Sequence, residues 1–295
     1  MSEIRLAKEG ETSRQKEIWK QCFGDSDSYI DFYYSNRYRV EETLILLHNG
    51  EISAMLTMIP VRTIQPEKLS IDTVMLYAIA TDPKYQNRGF ATQLIDFSNQ
   101  YLRANNKNLS VLVPANQQLF DYYRKQGYQD GFYIRETLLT QEKIYNLPII
   151  ESFHCTISAI TPEEYNHRRN NQLNGWLYIA YDDKDVAYQK MLSQASGADI
   201  YGIESEEIQG CVAIERLNYD KVLIKEILVP EKHIDEVLKQ ISKQVHAKEY
   251  ILRTPAYLYS HLGGDIRPFG MIRGQRETES KITPETLGYL GFAFD

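Results

Sequence analysis

Cysteine is scarce: Cys22, Cys155 and Cys211 are all that 295 residues carry. Odd in number and far apart, with no CxxC pair and no Cys/His cluster, they indicate neither a disulfide framework nor a zinc or other metal site, and packing is their expected role. Long apolar runs are missing as well. The longest fall far short of the roughly 20 residues that span a bilayer, and the N-terminal stretch MSEIRLAKEGETSRQ has no apolar signal-peptide core, so a cytoplasmic protein with no membrane partner is expected. Nor is there an excess of basic charge. With 33 Lys and Arg against 40 Asp and Glu, the net charge of −7 argues against a general nucleic-acid binder and is compatible with cationic substrates. What the chain does have is length for about two domains and 22 tyrosines, which suit amphipathic surfaces around a cleft.

The most informative stretch is VMLYAIATDPKYQNRGFA, from Val74 to Ala91. Val74 to Ala80 is an uninterrupted apolar run that reads as a buried strand, and Asp82-Pro83 ends it. A loop with Lys84 and Arg88 follows, and small residues Gly89 and Ala91 stand where a helix begins. Phe90, Leu94, Phe97 and Tyr101 recur at helical spacing, which carries that helix to about Asn105. First-turn amides of a helix have no intrahelical partner and sit at the positive end of its dipole, so the loop is an anion site into which a pyrophosphate fits. Its spacing matches neither the G-x-x-x-x-G-K-[ST] phosphate loop nor the G-x-G-x-x-G dinucleotide fingerprint.

Upstream, strands are expected at Ile4 to Ala7, Thr43 to His48 and Ile52 to Ile64, the last two joined by an Asn49-Gly50 hairpin turn. Helices are expected over Glu11 to Phe23 and after Asp27 or Ser28, either of which can cap the second. The DSDS run at Asp25 is not a calcium loop, because its sixth position is Ile30 where the turn requires Gly. His48 has no partner at ligand spacing and reads as structural. Downstream come a strand at Leu109 to Val113, a helix from Asn116 to Gln126 ended by Gly127, and an extended stretch from Tyr128 to Leu139.

Gln86-Asn87-Arg88-Gly89-Phe90-Ala91 resembles the Q/R-x-x-G-x-G/A loop of the GNAT superfamily of acyl-CoA N-acyltransferases. A second motif of that superfamily, N-x-x-A-x-x-x-Y-x-x-x-G-F, has its counterpart in Asn116, Leu119, Tyr123, Gly127 and Tyr128, with Leu replacing Ala and Tyr replacing Phe. The resemblance covers residues 1 to about 140. From Phe153 the plan repeats: a strand to Ala159, a capped helix at Thr161-Pro162, a helix near Asp183 to Gln194, and a hairpin from Ile200 to Leu217. A strand at Val222 to Val229, a helix at Lys232 to Val245 and a strand at Tyr250 to Arg253 complete it. Here the Gly-bearing loop is missing. The expected fold is therefore mixed α/β, a tandem GNAT arrangement with a catalytic domain at 1–145 and a degenerate GNAT-like domain at 146–295.

The resemblance implies acetyl-CoA as cosubstrate, held by Gln86, Asn87, Arg88, Gly89, Phe90 and Ala91. It also implies that the backbone of Ile79, Ala80 and Thr81 pairs with pantetheine and polarises the thioester, with Asn116 bonding the pantetheine arm or orienting Tyr123. Tyr123 is the implied general acid, since a phenol with pKa near 10 stays protonated at neutral pH beside a thiol of about 8.5. The tandem plan resembles acetyltransferases of the enhanced-intracellular-survival type, without their third domain; there the chain terminus supplies a carboxylate. The apolar ending GYLGFAFD makes Asp295 a candidate for that part, and a structural final strand is the other reading. The implied activity is acetyl transfer to a primary amine of a small molecule. A non-catalytic acyl-CoA sensor or scaffold, or a tandem-GNAT aminoacyl transferase, stand as alternatives.

Overall fold

The computed structural model describes residues 2–67, 69–148, 154–274 and 287–294. The first half runs β1 (Ser2–Leu6), α1 (Thr12–Phe23), α2 (Asp27–Asn36), β2 (Thr43–His48), β3 (Glu51–Ile64), β4 (Ser70–Thr81), α3 (Phe90–Ala104), β5 (Leu109–Leu112), α4 (Gln117–Lys125) and β6 (Gln129–Thr140). After the short α5 (Gln141–Tyr145), the second half runs β7 (Thr156–Ala159), α6 (Pro162–Gln172), β8 (Tyr178–Ala180), α7 (Asp183–Ala195), β9 (Ile200–Glu204), β10 (Gln209–Arg216), β11 (Lys221–Leu228), α8 (Ile234–Gln244), β12 (Glu249–Pro255) and β13 (Asp265–Gly274). This is the mixed α/β order that the sequence implies. Phe153, placed by the sequence at the start of a strand, lies outside the described residues.

Local chemistry accounts for the early elements. Asn49 and Gly50 have φ of 53° and 85°, the two left-handed residues that a type I′ turn requires between β2 and β3. The cap of α2 is Ser26, whose hydroxyl accepts from the Tyr29 amide at 3.3 Å, one residue earlier than Asp27. The hydroxyl there satisfies a first-turn donor that the helix itself leaves open.

Among the described residues the strands join in one sheet, in the order β1-β2-β3-β4-β5-β13-β6-β12-β11-β10-β9-β7, with β8 pairing β3. The two halves repeat a unit of parallel strands bridged by a helix. Thr73 of β4 pairs Leu109 of β5 across α3, and Lys221 of β11 pairs Glu249 of β12 across α8. The halves also exchange strands: β13 inserts between β5 and β6, and β6 then pairs β12. Neither β8 nor β13 is foreseen from the sequence. In β13 the reason is visible, because Pro268 and Gly270 break its pattern, and the ladder to β6 changes register at both.

Alternation along the strands separates two cores in the first half. Ile45, Met55, Ile59 and Met75 face α1 and α2 with Ile18, Trp19 and Tyr33, whereas Leu44, Leu56, Val74 and Leu76 face α3 and α4 with Phe90, Leu94, Tyr123 and Tyr128. A third core lies under α8, where Ile234, Val237, Leu238, Ile241 and Val245 form the apolar stripe their spacing predicts.

The last described segment, 287–294, is docked. Tyr289 exchanges backbone hydrogen bonds with Leu177 and Ile179, and the Leu290 carbonyl accepts from Arg169 Nη2 at 3.2 Å and Tyr181 at 3.1 Å. Arg169 is fully buried and is itself paired with buried Glu226 at 3.0 Å, so the latch is a rigid, charge-balanced group.

Candidate active site

The site begins where β4 and β5 part. Their parallel ladder runs only from Thr73–Leu109 to Met75–Val111. Beyond it, β4 carries a bulge: Tyr77 pairs Thr57 and Ala80 pairs Met55, so Ala78 and Ile79 together stand opposite Leu56. Ala78 takes φ of 49°, a left-handed conformation that costs a non-glycine residue about 1 kcal/mol and persists only where the surroundings impose it. The twist turns β4 away from β5 and leaves a cavity of about 620 Å³, lined by both strand ends. Within the run expected to be a buried strand, Tyr77, Ala78 and Ile79 are in fact half-buried, and all three line that cavity. Ala80 stays buried. The Thr81 carbonyl accepts from Cys22 Sγ and from Gln86 Nε2, each at 3.2 Å.

The loop after β4 is pinned at its base. Buried Asp82 accepts from the Lys84 amide at 2.8 Å, donates its own amide to the Ser53 carbonyl at 2.9 Å, and is ion-paired with Arg14. Asn87 and Gly89 both take left-handed φ, 61° and 75°, and Gly89 is the N-cap of α3. The first full-turn bond of that helix runs from the Gln93 amide to the Gly89 carbonyl at 3.0 Å, so the amides of Phe90, Ala91 and Thr92 precede it and are available to an anion. No atom lies within 4 Å of the place a Cβ on Gly89 would take. Gln86, Asn87 and Arg88 are exposed, while Phe90 is buried beneath them. The aromatic underside is stiff: Tyr85, Phe90 and His48 pack ring against ring, and the Arg88 guanidinium sits 5.3 Å over Tyr85.

On the other lip stands α4. Asn116 is its N-cap, its side-chain oxygen accepting from the Leu119 amide at 3.0 Å, and it is exposed. Further along, three tyrosines differ in what their hydroxyls meet, Tyr122 and Tyr123 about two turns into α4 and Tyr128 just beyond it. The Tyr122 hydroxyl pairs with Thr92 Oγ1 at 3.1 Å, and that of Tyr128 with Ser110 Oγ at 2.9 Å. Tyr123 lines the cavity, and its hydroxyl has no hydrogen-bond partner among the described residues. Burial raises its phenol above the ordinary value, with Tyr122 and Tyr128 adding to the effect, so it is a proton donor across the physiological range.

The opposite wall is built by residues that sequence reasoning missed. Trp19 and Phe23 of α1, Asp25 and Tyr29 line one side, and Arg253 of β12 with Arg267 and Phe269 of β13 line the other. Trp19 and Phe23 had a signal, being large apolar residues one turn apart at a helix end. Arg253, Arg267 and Phe269 had none, because only the strand exchange sets β13 between β5 and β6 and β12 on the far side of β6. Both guanidinia hold Glu136 Oε2, at 3.2 and 2.8 Å. Desolvation works against the Glu136 charge, but the two arginines outweigh it and hold the carboxyl below its usual range. Phe294 closes the cavity floor against Tyr77 at 5.6 Å. Asp295 lies outside the described residues.

Residues 3–130 match the acetyltransferase (GNAT) domain family. No protein of curated function matches the sequence. Among solved structures, the chain is similar to a GCN5-related N-acetyltransferase from Anabaena variabilis, with a TM-score of 0.76, 16% identity, and coverage of 94% of this chain and 73% of that one. Eis1 from Mycobacterium abscessus aligns with a TM-score of 0.69 at 13% identity over 92% of this chain and 74% of its own. A tandem GNAT protein from the clavulanic acid biosynthesis pathway aligns over 94% of this chain and 99% of its own, with a TM-score of 0.56 and 12% identity. At such identities the likeness is one of fold.

Proposed function

We propose that this chain, an acyltransferase whose residues 3–130 belong to the GNAT acetyltransferases, moves an acetyl group from acetyl-CoA to a primary amine of a small molecule by direct attack. The observation that carries the reading is the Tyr123 hydroxyl, unpartnered among the described residues, in the cavity opened by the β4 bulge, with the helix start after Gly89 tied to the same helix as Tyr123 through Thr92 and Tyr122 at 3.1 Å.

In this reading the amides of Phe90 and Ala91, with Gln86, Asn87, Arg88 and Gly89 around them, hold the pyrophosphate. The absent side chain at Gly89 keeps its approach open. Pantetheine threads the gap between β4 and β5, where the backbone of Ile79, Ala80 and Thr81 and the amide nitrogen of the Asn116 side chain meet it. The neutral amine attacks the thioester carbonyl; a C–N bond forms, the C–S bond breaks, and Tyr123 gives its proton to the departing thiolate. A phenol is a weaker acid than a thiol in water. In this apolar cavity desolvation raises the thiol as well, which favours completing the transfer. The docking of 287–294 supports the terminal carboxylate of Asp295 as the base for the amine proton. The second half, from about residue 146, supplies the far wall and the tail.

A thiol-release assay with acetyl-CoA across polyamines, aminoglycosides, amino acids, aromatic amines and peptide N-termini tests the reading. Release that depends on an amine supports it. Acetyl-CoA binding without release for any amine returns the protein to a sensor or scaffold. Adding one residue after Asp295 lowers turnover if the terminus is the base, and undiminished turnover removes it from that role.

A further inference from the structure

Resting on the acetyl-transfer reading, we infer that the acceptor is a monoamine on a ring-bearing, apolar scaffold and not a polycation. The wall that faces the thioester position is aromatic. Trp19 packs edge-on against Phe23 at 5.5 Å and Tyr77 at 5.7 Å, Tyr77 packs on Phe294 at 5.6 Å, and Phe269 lies across the cavity. Phe23 is 44% exposed at the end of α1, a large apolar ring half in water on the cavity lining. A ring entering there would cover it and find edge-to-face partners along its path.

The polar groups point the same way. A polycation needs several carboxylates along its length, and among the described lining residues the one acid is Asp25. Its Oδ2 already accepts from the Trp19 indole at 2.8 Å. Opposite it stand two guanidinia, Arg253 and Arg267, 5.5 and 5.6 Å over the Phe269 ring; they share the one carboxylate of Glu136, so two cations face one anion and the surplus positive charge disfavours a second ammonium group on the acceptor. The cavity of about 620 Å³ also has to take the end of the pantetheine arm, which leaves room for a small acceptor.

The experiment measures KM and kcat at saturating acetyl-CoA for 2-phenylethylamine and tyramine against spermidine and kanamycin, in the unmodified protein and in Phe23→Ala. Phe23 is exposed enough that its loss leaves the fold intact, and the melting shift produced by acetyl-CoA reports the donor site independently. The expected result is a KM for the ring-bearing amines at least about tenfold below that of spermidine. Phe23→Ala should raise it about threefold to tenfold, the scale of one aromatic contact, with kcat and the acetyl-CoA shift unchanged. Lower KM for spermidine or kanamycin, no turnover of the ring-bearing amines, or a Phe23→Ala variant with unchanged KM for 2-phenylethylamine overturns the inference. If the acetyl-CoA shift persists in those cases, only the acceptor assignment fails; if it is absent in the unmodified protein, the acetyl-transfer reading fails with it.

Discussion

Arg37 and Asp185 meet across the two halves of the chain at 2.7 Å, both buried. Arg37 also holds Glu42 at 2.6 Å, and its guanidinium lies 5.7 Å over the ring of Phe294. One cation therefore ties α2, α7 and the docked tail together beside the cavity. Burial raises the Asp185 carboxyl to about 6, although Arg37 draws it down.

Removing the cation should cost more than removing the acid. Arg37→Met leaves buried Asp185 and half-buried Glu42 without their partner, a loss of about 3–5 kcal/mol, whereas Asp185→Asn leaves Arg37 paired with Glu42 and removes a charge that burial disfavours, so at neutral pH it costs nothing or stabilises. Urea unfolding of the two variants checks the order. Equal losses would mean that the cluster is not held by Arg37.

The same pair sets a pH dependence with a definite sign. The Asp185 carboxyl titrates near 6 when folded and near 3.9 when unfolded, so between these values the folded state binds more protons. Its contribution to stability is therefore present below about pH 4 and declines as the pH rises through about 6, by on the order of 1–3 kcal/mol. Unfolding midpoints of the unmodified protein and Asp185→Asn should converge in acid and separate toward neutrality, with Asp185→Asn the more stable there. Parallel curves would remove Asp185 as the titrating group.

Tyr123 and Tyr128 should answer in opposite ways to loss of a hydroxyl. Tyr128→Phe forfeits a buried hydrogen bond to Ser110 and should cost about 1 kcal/mol of stability. Tyr123→Phe forfeits no bond among the described residues, so its stability should hold while kcat falls about 10²-fold and acetyl-CoA affinity stays. Unchanged kcat in Tyr123→Phe would take it out of the acid role.

The loop at Gly89, the helix after it and the α4 residues were legible because each is a local pattern. A left-handed glycine opening one helix, and a capped helix start with a tyrosine about two turns on in another, are each patterns of a few consecutive residues. The cavity's far wall was not, because it depends on β13 crossing into the first half. Pro268 and Gly270 hide that strand, and nothing in the spacing of Arg253 and Arg267 announces that they share Glu136. Local chemistry thus marked the loop and the helix start, and long-range pairing decided what lines the cavity beside α4.

The most direct measurement is the melting temperature with and without acetyl-CoA, for the unmodified protein and for Gly89→Glu. At a concentration a hundredfold above Kd, binding to the folded state contributes about 2.7 kcal/mol, a rise of several degrees for a chain of this size. Gly89→Glu places a carboxylate where the phosphates would lie and forces a side chain onto φ of 75°, so the variant should melt somewhat lower and show no rise. A shift in the unmodified protein that Gly89→Glu abolishes is the predicted result. No shift in the unmodified protein, or an equal shift in both, would contradict the account.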